Sequence, residues 1–176
     1  MKKFAFLTML LFAVAVVAAA QQDKPKPLSP PASAECKFSD GKSVKMDYSS
    51  PRAKGRKIFG GLVPYGQIWR TGANASTTFV TDSDVVVGGQ NVPAGSYTIF
   101  TVPEADKWTL VISKKTGEWG TDYPGPSEDL TRVPMTVSKT ASQVENFTIA
   151  FDQAGGKCTL HADWENTRAR VDVVKK

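Results

Sequence analysis

Apolar and polar residues alternate along most of this chain in short runs of period two. Val44, Met46 and Tyr48 alternate with Lys45 and Asp47, the pattern of a strand with one face turned to a core. Similar runs rich in Val, Thr, Ile, Phe and Tyr follow at 76–81, 84–87, 90–92, 96–102 and 108–113. Four more follow at 132–137, 144–151, 157–164 and 168–174. Gly, Pro, Asn and Asp separate the runs, and no stretch shows helical periodicity. Gly88-Gly89 suits a tight hairpin turn, and Gly155-Gly156 suits another near the end. Roughly nine strands in about 140 residues predict an all-β fold, a single antiparallel β-sandwich. A β-barrel is the alternative, because strand number does not reveal closure.

Alternation also assigns sides in the closing strands. Phe147, Ile149 and Phe151 share a face. Cys158, Leu160, Ala162 and Trp164 share the inward face of the next strand. Thr159, His161 and Asp163 share the other, which is expected to be exposed.

The first residues break this pattern. Met1-Lys2-Lys3 precedes an uncharged run from Phe4 to Ala20 that ends Ala18-Ala19-Ala20. A positive n-region, an apolar h-region and small residues at the end read as a cleaved signal peptide over 1–20. The chain is expected to be exported, to the periplasm or outside the cell, with no membrane contact after cleavage. Residues 21–35 hold four prolines and no aromatic residue, a composition that reads as a flexible Pro-rich tether. The sandwich domain is then expected over 36–176.

Charge and cysteine usage narrow the function classes. The formal charge of +5 includes Lys2 and Lys3, and subtracting those two leaves +3. There is no dense Lys/Arg block, so nucleic acid is not an expected partner. Cys36 and Cys158 are the two cysteines. In an exported chain an even count points to a bridge, and here the pairing is forced. Metal-ligand spacing is absent, and no pattern implies a cofactor.

Residues 51–78 do not read as scaffold. Glycines are interleaved with Arg52, Lys54, Arg56, Lys57, Tyr65, Trp69, Arg70 and Asn74. Ile58, Phe59, Leu62, Val63 and Ile68 make the stretch too apolar for disorder. The block Gly55-Arg56-Lys57-Ile58-Phe59-Gly60-Gly61-Leu62-Val63-Pro64-Tyr65-Gly66, with Trp69-Arg70-Thr71-Gly72-Ala73-Asn74 after it, resembles the hallmark of a family of exported bacterial domains of unknown function. Val92-Pro93-Ala94-Gly95-Ser96-Tyr97 and Trp108-Thr109 share the resemblance. It implies an exported, β-rich domain and no catalytic assignment.

The residues themselves suggest a binding site. Arg52, Lys54, Arg56 and Arg70 have the forked or pointed cations that hold carboxylate, sulfate or phosphate. Tyr65 and Trp69 offer faces for a sugar, and Asn74 an amide. The competing expectation is that the aromatics fill the core edge and the arginines pair with Asp47, Glu118 or Asp163. The expected function is a non-catalytic module for a glycan or an anionic small molecule. The alternatives are a hydrolase-type envelope enzyme using Asp47, Glu118 or His161, and an envelope protein-interaction module. The loop 118–126, with Trp119 and Tyr123, is expected either to line the groove or to pack as surface.

Overall fold

The computed structural model describes residues 27–120 and 122–176. The expected signal peptide and the first part of the expected tether lie outside the described residues. The strands are β1 (Pro31–Lys37), β2 (Ser43–Ser49), β3 (Thr77–Thr81), β4 (Val85–Val87), β5 (Gln90–Val92), β6 (Gly95–Pro103), β7 (Lys107–Ser113), β8 (Asp129–Ala154) and β9 (Lys157–Lys175). They form one nine-stranded sheet in the order β1-β2-β3-β6-β7-β8-β9-β4-β5. Every pairing is antiparallel. The sheet folds over on itself without closing, which decides against the barrel. Phe79, Ile99, Leu110, Val133, Phe147, Ile149, Leu160 and Val173, from strands all along the sheet, meet in a single core.

The period-two reading holds where one face is buried: Val44, Met46 and Tyr48 are inside in β2. It fails in β6, where Tyr97 to Thr101 are all buried. The loop after β7 covers the outer face of that strand. Tyr123 packs edge-on against Phe100 with ring centroids 5.2 Å apart, and Thr98 donates to Glu118 at 3.1 Å. Among the two expectations for this loop, Tyr123 therefore follows the packing one, while Trp119 stays exposed.

Two boundaries differ from the expectation. β1 begins at Pro31, five residues inside the stretch read as tether (36 − 31 = 5). Proline is tolerated at the first residue of an edge strand. The residues that β1 packs against the core ahead of Cys36, Ala32 and Ala34, are small, so the strand carries no strong apolar signal. The four closing runs are two long strands. β8 and β9 stay paired through a bend, with register shifts between Lys139 and Val144 and between Val144 and Thr148. Glu165, opposite Val144, takes φ 55° there. Such irregularities bend a strand without ending it, whereas a sequence pattern shows only a break in alternation.

Cys36 and Cys158 form the disulfide, with Cα atoms 6.2 Å apart and 122 residues between them in the chain. Both are buried. The bridge fits an oxidising environment. It fastens β1 to β9, and nearby Gln153 donates to the Lys37 carbonyl at 2.6 Å.

Candidate functional site

The chain between β2 and β3 is not a strand, yet it is pinned along its length. Phe147 N donates to Pro51 O and Ala53 N to Glu145 O, both at 2.8 Å. Trp69 exchanges two backbone hydrogen bonds with Thr101 of β6, at 2.8 and 2.9 Å. Ile58, Phe59, Val63 and Trp69 are buried. Trp69 sits in an aromatic cluster: it stacks on Trp164 at 5.9 Å and meets Phe147 at 5.1 Å and Phe59 at 6.0 Å.

Thr71 follows at φ 56°, a genuine outlier for a β-branched residue. Its hydroxyl bonds Thr101 Oγ1 at 3.1 Å, and its carbonyl accepts from Thr77 Oγ1 at 2.7 Å. These bonds hold the strained turn that carries Trp69 and Arg70.

The seven expected site residues do not converge as a set. Arg56, Trp69 and Arg70 border one cleft of about 470 Å³. Pro51, Leu62, Pro64 and Ile68 give it an apolar wall, and Trp164 and Ser29 also line it. Arg52 turns back instead, donating to Ser50 O at 2.6 Å and to Ser50 Oγ at 2.7 Å. Asn74, at φ 58°, donates to Ser29 O at 3.1 Å. It buttresses the cleft from behind a lining residue. Lys54 is exposed and away from the cleft, and its backbone N–H bonds Glu145 at 2.9 Å. Tyr65 lies on a separate groove.

The arginines of the loop were expected either to display their charge or to pair with carboxylates. They do neither completely. Arg56 donates through Nε to Ala53 O at 3.0 Å and through Nη2 to Arg52 O at 2.6 Å. Backbone carbonyls orient it and leave its charge unneutralised. Arg70 has a buried Nε with no hydrogen-bond partner among the described residues. No described carboxylate lies within ion-pair distance of Arg52, Arg56 or Arg70. Among the described residues no acid or histidine lines the cleft. Sequence reasoning missed Ser29, Leu62, Ile68 and Trp164 as lining. Leu62 and Ile68 carried a signal, as apolar residues in an otherwise polar stretch; Ser29 carried none.

His161 and Asp163 share a side with Thr159, as alternation requires, but they are buried rather than exposed. Beyond the bend of β9, Arg168 folds back over them. It grips Asp163 with two bonds of 2.8 and 2.6 Å. His161 lies 3.3 Å from Asp163 Oδ1 and 3.6 Å from Asp152 Oδ1. Burial pushes the Asp163 carboxyl up, but the facing His161 and Arg168 outweigh it and hold it below its ordinary value. This cluster does not border the Arg56–Arg70 cleft. Its geometry is that of a tie between the two halves of β9.

The fold and cleft define a class: an open antiparallel β-sheet folded over an aromatic core, crossed by one disulfide, with a two-arginine cleft in a long inter-strand loop. The family model described as "Protein of unknown function (DUF2911)" matches residues 29–173, and the chain belongs to that family. No curated protein matches the chain, and no solved structure matches it.

Proposed function

We propose that this domain is a non-catalytic binding module whose cleft takes an anionic small molecule with an apolar body. The observation behind the reading is charge without a partner. Arg56 and Arg70 border one concavity in which no described acid stands, and neither takes part in an ion pair among the described residues. Arginine forks suit carboxylate, sulfate or phosphate. Pro51, Leu62, Pro64 and Ile68 would take the rest of the ligand. Glycan stacking on Trp69 is the poorer reading for this cleft, because Trp69 is only 9% exposed.

A hydrolase needs an acid or base within reach of the reacting atoms, and none of the described residues lining this cleft supplies one. The reading is tested by thermal shift with hexanoate, benzoate and phenylacetate, since a ligand of the native state raises apparent stability. At least one should raise the melting temperature, less so at high salt. Arg70→Ala and Arg56→Ala should each abolish the shift. If both variants keep the wild-type affinity, or none of the three anions stabilises the protein, the reading is wrong.

A further inference from the structure

A second groove, of about 480 Å³, shares no lining residue with the arginine cleft. Four segments far apart in the chain build it. The loop contributes Lys57 and Tyr65, the β6–β7 turn Asp106, the β8 bend Lys139, and the β9 bend Glu165 and Asn166.

Tyr65 is 44% exposed, unusual for an aromatic side chain in this domain. Its exposure is not looseness. Gly60 takes φ 75°, and a Cβ placed there would come within 2.6 Å of Tyr65 Cε2. The ring rests on bare backbone that only glycine provides. It presents an apolar surface at the edge of a polar groove.

Glu165 is fixed as well. It sits at φ 55°, a conformation that glycine adopts at lower cost. Its carboxylate accepts a hydrogen bond from Ile58 N at 3.1 Å. Strained non-glycine residues persist where the surroundings hold them, and they cluster at binding sites.

The charges decide the ligand class. Lys57 and Lys139 face the same groove as Asp106 and Glu165, two of each sign. Among the described residues none of the four takes part in an ion pair. An anion would meet two carboxylates and a cation two ammonium groups. A neutral, polyhydroxylated ligand meets both kinds of partner, since each hydroxyl donates and accepts. A pyranose also has an apolar C–H face that suits an aromatic ring. We infer that this groove binds neutral carbohydrate, with one sugar ring stacked on Tyr65 and its hydroxyls met by Asp106, Glu165 and the Asn166 amide. The groove volume is within the range of small-ligand sites, about 300–1,000 Å³.

The inference is independent of the anion reading, because the two sites have separate walls. The experiment is a titration of the oxidised, signal-free chain with cellobiose, maltose and N,N′-diacetylchitobiose, followed by amide chemical shifts. At least one disaccharide should give a saturable millimolar curve at the amides of Tyr65, Lys139 and Asn166, leaving Arg70 unmoved. Tyr65→Ala should weaken binding about tenfold or more, the loss of roughly 1.4 kcal/mol. Tyr65→Phe should keep it, and Asn166→Ala should weaken it without disturbing the fold. The inference is overturned if no disaccharide moves these amides. It is also overturned if Tyr65→Ala, with a native spectrum, binds as the wild type does.

Discussion

Reducing the Cys36–Cys158 disulfide should destabilise the whole domain, not merely loosen an edge. The bridge spans 122 residues. In the chain-entropy model a loop of that size constrains the unfolded ensemble by about 5 kcal/mol at 25 °C. That is an upper figure, because real denatured chains are already compact. For a domain of this size each kcal/mol moves the melting temperature by about 2–4 °C, so the expected fall is about 10–20 °C. Reduction of the wild type is a cleaner perturbation than substitution. Both cysteines are buried, and a Cys→Ala change would add a cavity. The assay is thermal unfolding by circular dichroism, oxidised against reduced, with thiol titration before and after. Amide exchange separates two accounts. If the bridge acts on the unfolded chain, protection falls throughout the sheet. If only β1 loses protection and the melting temperature falls by less than about 3 °C, the entropic reasoning is wrong. Two free thiols in unreduced protein would remove the bridge itself.

Gly88 and Gly89 form the β4–β5 turn with φ 51° and 89°. A Cβ on Gly88 would lie 2.2 Å from Val133 Cγ1, while one on Gly89 meets nothing within 4 Å. Gly88→Ala should cost about 2–5 kcal/mol, and Gly89→Ala only the left-handed term of about 1–2 kcal/mol; equal costs by urea unfolding would contradict this. The Asp163 carboxyl is held below its ordinary value. The stability it contributes is therefore full above the unfolded-state pKa of about 3.9 and disappears as pH falls through the lower folded value. Asp163→Asn should lower stability at neutral pH and flatten the acid limb of the stability profile. An unchanged acid limb in that variant would show that the Arg168–Asp163 tie does not drive acid unfolding.

The fold was largely legible because its strands are one-sided. Burial on one face writes period two into β2, β3 and the ends of β8 and β9. The failures have the same origin. β6 is covered on both faces, so alternation vanishes there. β1 buries alanines and opens on Pro31, and composition alone reads that as tether. The continuity of β8 and β9 through their bend was illegible because a bulge and a turn both interrupt the pattern. His161 was placed on the correct side of β9 but in the wrong environment. Its neighbours are Asp152 and Asp163, both of which Arg168 reaches from beyond the bend, and period two carries no information about what a bent strand folds back onto.

The loop from Arg52 to Asn74 was legible as an address and illegible as a site. Its residue types serve two ends equally well, and their neighbours elsewhere in the chain select between them. Trp69 is drawn inward because Trp164 and Phe147 wait there, while Tyr65 stays outside because Gly60 gives it a seat. Arg52 closes on Ser50, while Arg70 finds no partner for its buried Nε among the described residues. The net charge of each cavity follows the same rule. The arginine cleft is cationic because the distant residues that complete it, Ser29 and Trp164, bring no acid. The groove at Tyr65 is balanced because Asp106 and Glu165 arrive from other strands. One loop thus carries walls of two chemically different cavities, and the charge of each is completed by residues from outside the loop. A sequence window over the loop, which sees five cations and three aromatics together, carries no information on which of the two cavities each side chain borders.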